Sequence, residues 1–113
     1  MSIYLLKVKG HHTLTQNFSN PFYGREIKTL GYYSSFRKAW AISFDFVDEQ
    51  GHKKVVAYKR GHHKQNKSDK EIRDELKKGN ASSFVRSINE HIKFEFHISK
   101  YELDKPFLPE KMQ

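Results

Sequence analysis

Cysteine is absent from these 113 residues, which excludes a disulfide framework, a thiolate nucleophile and cysteine-ligated zinc. That absence fits a reducing compartment, and the chain is read as cytoplasmic. Proline occurs three times and glycine six, too rarely for general disorder. No apolar run approaches the roughly 18–20 residues of a membrane span, and Ile3-Tyr4-Leu5-Leu6 is too short for a signal-peptide core, so no membrane partner is expected. Glycine-rich nucleotide loops, metal-ligand spacings and nucleophile motifs are also missing, so no cofactor, metal or catalytic residue is assigned. The last absence is the most informative. Residues 1–25 and 51–68 contain no acidic side chain at all.

Those two segments do contain Lys7, Lys9 and Arg25, and then Lys53, Lys54, Lys59, Arg60, Lys64 and Lys67. The formal net charge of +8 therefore resides in them, and the remainder of the chain is close to neutral. His11, His12, His52, His62 and His63 fall in the same segments. Same-sign blocks on a balanced domain predict a surface for a polyanion or an acidic partner. Nine Phe, six Tyr and one Trp compensate for few aliphatics, because each large ring buries roughly 150–250 Å². The length suits one domain, assigned to residues 1–104, with residues 105–113 as a loose tail around Pro106 and Pro109.

Residues 3–9 open as a continuous apolar run and then alternate, which predicts a strand central in a sheet. Residues 10–24 are rich in His, Thr, Asn and Ser and read as a long loop, with Phe18, Phe22 and Tyr23 to anchor it. A second strand is expected over 26–33. Ser34-Ser35 offers an N-cap for a helix from about Ser35 to Phe44 or beyond. Arg37, Lys38, Asp48 and Glu49 all oppose its macrodipole. Residues 42–46 also alternate at period two, so a β-hairpin with a strand at 55–59 is the competing reading for 42–58. Ser68-Asp69-Lys70-Glu71 has capping-box spacing and starts a helix over 69–78. Residues 81–89 read as a third helical segment. Residues 92–98 are the clearest strand, alternating Ile92, Phe94, Phe96 and Ile98 with polar residues. Tyr101 and Leu103 fall out of that register, which predicts a bulge near Ser99-Lys100. The fold class is α+β: a mostly antiparallel sheet of three to four strands with two to three helices on one face.

Three stretches carry a family resemblance: the opening strand from Ile3, Leu30-Gly31-Tyr32-Tyr33-Ser34-Ser35-Phe36, and Ile98-Ser99-Lys100-Tyr101-Glu102-Leu103-Asp104. They resemble a group of small bacterial and phage proteins of unknown function with a Gly-x-Tyr-Ser-Ser turn and an Ile-x-x-Tyr-Glu-Leu-Asp strand end. The resemblance covers about a third of the chain and leaves out the basic centre. It implies a compact α+β fold with a helix after Ser35, and it implies no activity.

The candidate site is the 51–68 segment, with a basic loop at 59–67. Lys53, Lys54, Lys59, Arg60, Lys64 and Lys67 are assigned to polyanion binding. Cationic heads, amide donors and Gly61 suit a phosphate backbone. Tyr58, Tyr32 and Tyr33 would stack bases if they shared a groove. The chain is thus read as a non-enzymatic binding protein for nucleic acid. The alternative is an adaptor for an acidic protein, and a second alternative is a small ribonuclease using His62, His63, Arg60 and Glu71. Neither His-His pair has metal-ligand spacing, so these histidines are expected to be solvated loop residues.

Overall fold

The alternation of β5 (Ile92–Glu102) organises the molecule. Ile92, Phe94, Phe96 and Ile98 are at most 3% exposed, and every second residue between them faces the other side of the sheet. The structure is a computed structural model that describes residues 2–12 and 27–102. β1 (Ser2–His12) and β2 (Ile27–Tyr33) precede helix α1 (Phe36–Lys54), the two-residue β3 (Lys64–Gln65), helix α2 (Asp69–Gly79) and β4 (Ala81–Ser87). The five strands form one antiparallel sheet in the order β2-β1-β5-β4-β3. Leu6 and Val8 from β1, Phe84 from β4 and the β5 hydrophobes form a single core with Phe36, Ala39 and Val47 of α1 and Ile72 and Leu76 of α2. Both helices therefore cover the same face. Edge-on contacts of Phe46 with Phe94 and Phe96, and a stack of Phe84 on Phe96 at 5.4 Å, knit the layers.

Two expected features are replaced. Residues 81–89 form a strand where a helix was expected, because Ser82, Phe84 and Arg86 face inward while Ser83, Val85 and Ser87 face outward. An arginine at an inward position hid that alternation from a hydropathy reading. The 42–58 ambiguity resolves as helix. Phe36, Ala39, Ser43, Val47 and Gly51 lie buried at three- and four-residue spacing, so α1 runs to Lys54 and neither the hairpin nor a strand at 55–59 forms. The Ser35 hydroxyl accepts the Lys38 N–H, and His52, Lys53 and Lys54 sit favourably in the last turn. Gly51 is required where Tyr58 folds back, since a Cβ there would stand 2.6 Å from the phenol ring.

Smaller differences follow the same logic. β1 continues to His12, so the expected loop starts later than residue 10, and residues 13–26 lie outside the described residues. The β1–β5 ladder runs without a shift from Ser2↔Glu102 to His12↔Ile92, so no bulge occurs at Ser99-Lys100. Tyr101 simply belongs to the opposite sheet face and is 50% exposed. The irregularity lies between Leu6 and Lys7, against β2. The capping box of α2 is complete, with Ser68 and Glu71 exchanging side-chain and backbone hydrogen bonds. Asn80 closes that helix in the left-handed region. Residues 103–113, including the expected tail, lie outside the described residues.

Candidate nucleic-acid interface

Burial between His62 and Lys67 alternates strictly. His63, Gln65 and Lys67 turn inward, while His62, Lys64 and Asn66 turn outward. Two of these residues pair with β4 as β3, and the Asn66 side chain accepts the Val85 N–H at 2.8 Å. The 62–67 part of the basic loop is thus held along the sheet edge by the two-residue β3, with an inner and an outer row.

The inner row closes on polar groups from three other elements. Trp40, Phe44 and Asp48 recur every four residues on α1, beside the core stripe. Arg86 projects from an inward position of β4. Its Nη1 donates to His63 Nδ1 at 3.0 Å and its Nη2 donates to Gln65 Oε1 at 2.6 Å. The guanidinium carbon lies 4.8 Å from the Trp40 ring centre and 5.0 Å from that of Phe44. Trp40 Nε1 donates to the same Gln65 oxygen at 2.8 Å. The Gln65 amide nitrogen donates to the Lys67 carbonyl and to Asp69, so each polar atom of that side chain is used.

His63 decides the electrostatics. Its side chain is 0% exposed. Arg86 can only donate, so Nδ1 must carry the lone pair and Nε2 the proton. Nε2 faces Asp48 Oδ1 at 3.4 Å. Burial holds the imidazole below its ordinary pKa, and the Arg86 charge adds to this against the opposing pull of Asp48. Burial alone would raise the Asp48 carboxyl, but the Gly61 N–H, the Tyr58 hydroxyl and the Arg60 charge outweigh it and hold it down. The Tyr58 phenol, buried and donating to that carboxylate at 2.8 Å, is pushed up. Burial lowers Arg86 to about 10, so it stays charged at neutral pH. Asp48 Oδ2, His63 Nε2 and Arg86 Nε have no hydrogen-bond partner among the described residues, and the cluster carries a desolvation cost.

These contacts sort the expected cations. Arg60 meets Asp48 at 3.1 Å and Asp45 at 3.3 Å. Lys67 meets Glu75 at 2.9 Å. Lys53 lies 3.7 Å from Glu49 in an exposed helical pair. The acids come from other parts of the chain, which is why the segment looked unopposed. Lys54, Lys59 and Lys64 are exposed and make no ion pair among the described residues. Sequence reasoning missed Asp48, Gln65 and Arg86. The signal available for them was alternation among polar residues, which carries no hydropathy contrast.

Other expectations separate in space. Lys7 and Lys9 alternate with the buried Leu6 and Val8, so they occupy the sheet face away from the helices. β1 is also separated from β3 by two strands. The described parts of the two basic segments therefore do not form one surface, and Arg25 lies outside the described residues. Tyr32 is 65% exposed on β2, Tyr58 is tied to Asp48, and the Tyr33 hydroxyl donates to the Leu30 carbonyl, so the three tyrosines share no groove. His63 is buried, contrary to the solvated loop position expected for it. His62 is exposed, and Glu71 is engaged in the α2 cap, so the structure does not assemble His62, His63, Arg60 and Glu71 as one set. No cluster of three or more metal-ligating His or acidic residues occurs among the described residues. No helix among them is long and apolar enough to cross a membrane.

Comparison with protein-family models, with curated proteins and with solved structures gives no match.

Proposed function

We propose that this protein is a non-enzymatic binding module for the phosphate backbone of nucleic acid, and that Lys54, Lys59 and Lys64 carry the contact. The observation behind this reading is the outward row of the braced loop. Lys64 faces solvent from an edge strand whose inner row is fixed, and Lys59 in the same loop and Lys54 at the end of α1 are likewise exposed. A braced loop spends less conformational entropy on binding than a free one. Arg60 and Lys67 are assigned to holding the loop in place rather than to the ligand. Few side chains there suit base edges, so binding is expected to depend little on sequence.

The test is a salt titration of single-stranded and duplex oligonucleotides followed by anisotropy. Three phosphate contacts give a log–log slope of roughly −2 to −2.7. Lys54→Gln/Lys59→Gln/Lys64→Gln is expected to flatten it without changing the unfolding midpoint. No binding at ~50 mM salt, where phosphate contacts are strongest, or an unchanged slope in the variant, would remove this reading and favour the acidic-protein adaptor.

A further inference from the structure

A second cationic site lies at the other end of α1. Phe36 opens that helix and Lys54 ends it, about 27 Å apart at 1.5 Å per residue. Beside Phe36, α2 and the start of the sheet enclose a cleft of about 540 Å³, within the size range of small-molecule sites. Its floor is apolar: Tyr4 from β1, Phe36 from α1 and Leu76 from α2. Its walls are cationic. Arg73 and Lys77 stand one turn apart on α2, and Lys100 reaches in from β5. The Arg73 guanidinium carbon lies 4.7 Å from the Phe36 ring centre.

The charges in this cleft do not cancel. Lys70 and Asp74 satisfy each other at 3.0 Å, and Lys100 has a loose partner in Glu102 at 3.8 Å. Arg73 and Lys77 make no ion pair among the described residues. Like charges at this helical spacing repel, and the one acid lining the cleft, Asp74, is paired with Lys70 and only partly offsets Lys77. An anion would remove that repulsion. The floor adds a second requirement: Phe36 is buried beneath Arg73, and the half-buried Tyr4 offers ring surface that a bare anion would leave uncovered.

We infer that this cleft binds a nucleoside monophosphate, with its phosphate on Arg73, Lys77 and Lys100 and its base against Tyr4. Two sources share that chemistry: a free nucleotide and the phosphorylated end of a strand. The site is independent of the outward lysine row, because it uses none of the same residues.

The experiment is calorimetric titration of the full chain at low salt with AMP, adenosine, inorganic phosphate and a 5′-phosphorylated tetranucleotide. Saturable one-to-one binding of AMP is expected, with adenosine and phosphate each weaker. Arg73→Gln/Lys77→Gln, both on the exposed side of α2, should weaken AMP at least about tenfold and leave the unfolding midpoint in place. The triple lysine variant of the loop should bind AMP as the wild type does, so failure of one site is distinguishable from failure of the other. Displacement of AMP by the tetranucleotide identifies a strand end as the ligand, and binding of AMP without displacement identifies the free nucleotide. Absence of saturable binding of either up to ~10 mM, weaker than any specific complex of use, would overturn the proposal. So would an affinity unchanged in the double variant, or phosphate binding as tightly as AMP.

Discussion

The two ends of the layer between the helices and the sheet are built by opposite chemistry. Under β5 the packing is apolar throughout: Phe84, Phe94, Phe96, Ile98, Val47 and Ile72 meet with at most 3% exposure. Toward β3 the same layer is filled by Arg86, His63, Gln65 and Asp48, with Trp40 and Phe44 as their walls. The apolar end tolerates approximate partners, because dispersion and burial are non-directional. The polar end needs each donor matched to an acceptor, since an unmatched buried group costs about 1–3 kcal/mol. One end supplies stability, and the other fixes where the basic loop lies.

The largest effect is expected at the apolar end. Phe96→Ala should cost about 3–5 kcal/mol, from lost transfer energy and the cavity left against Phe46 and Phe84. Urea denaturation measures it, and an unchanged midpoint would mean that the Phe96 side is not the core. At the polar end, Asp48→Ala removes the acceptor of the Tyr58 hydroxyl and of the Gly61 N–H, both at 2.8 Å, and exposes His63 and Arg60 to uncompensated neighbours. About 3 kcal/mol is expected from breaking a buried charged contact. A loss below about 0.5 kcal/mol, the range of ordinary surface substitutions, would mean that the cluster does not brace the loop.

Legibility differed between the same two ends. The β5 strand and the α2 capping box could be read directly, because period-two hydropathy and Ser-x-x-Glu are local signals. A central β1 and a helix after Ser35 were legible for the same reason. β4 was not, because its third inward position is Arg86, so an inside residue scored as an outside one. The loop 62–67 posed the same problem with His63 and Gln65. The pairing of Arg60 with Asp45 and Asp48, and of Lys67 with Glu75, joins residues 8 to 15 positions apart across different elements. A charge count along the chain records only neighbours in sequence. The segment therefore looked like six free cations when three of them have acids beside them.

pH separates the ends further. The folded imidazole of His63 takes a proton less readily than the unfolded one, whose pKa is about 6.5. Its contribution is full above that value and is lost progressively as pH falls below it, because the unfolded chain then binds more protons. Protonation would set an Nδ1–H against the Arg86 guanidinium, with Arg60 as a further like charge and Asp48 as the one opposing group. Asp48 is held below its ordinary range. Its contribution is present above about 3.9 and disappears as pH drops through the lowered folded value. Urea midpoints of the wild type should fall between pH 7.5 and pH 5. His63→Leu should be less stable at pH 7.5, yet change less between the two. Equal pH dependence in both proteins would show that His63 does not titrate differently on folding.

The smallest stability effect is expected where the largest binding effect is. Lys64 is exposed on an edge strand without an ion pair among the described residues, so Lys64→Gln should shift stability by less than about 0.5 kcal/mol. The same change should reduce the salt slope of oligonucleotide binding by about 0.7–0.9, one phosphate contact. Lys67→Gln serves as the contrast. It removes a partner of Glu75, whose carboxyl is held low first by the Ser82 hydroxyl and then by Lys67. Because Lys67 belongs to the inner row, its loss should register in the unfolding midpoint and leave the slope in place. If instead Lys67→Gln flattened the slope and Lys64→Gln did not, the ligand would be reading the inner row. The edge strand would then have to open to bind, and the buried cluster would act as its latch.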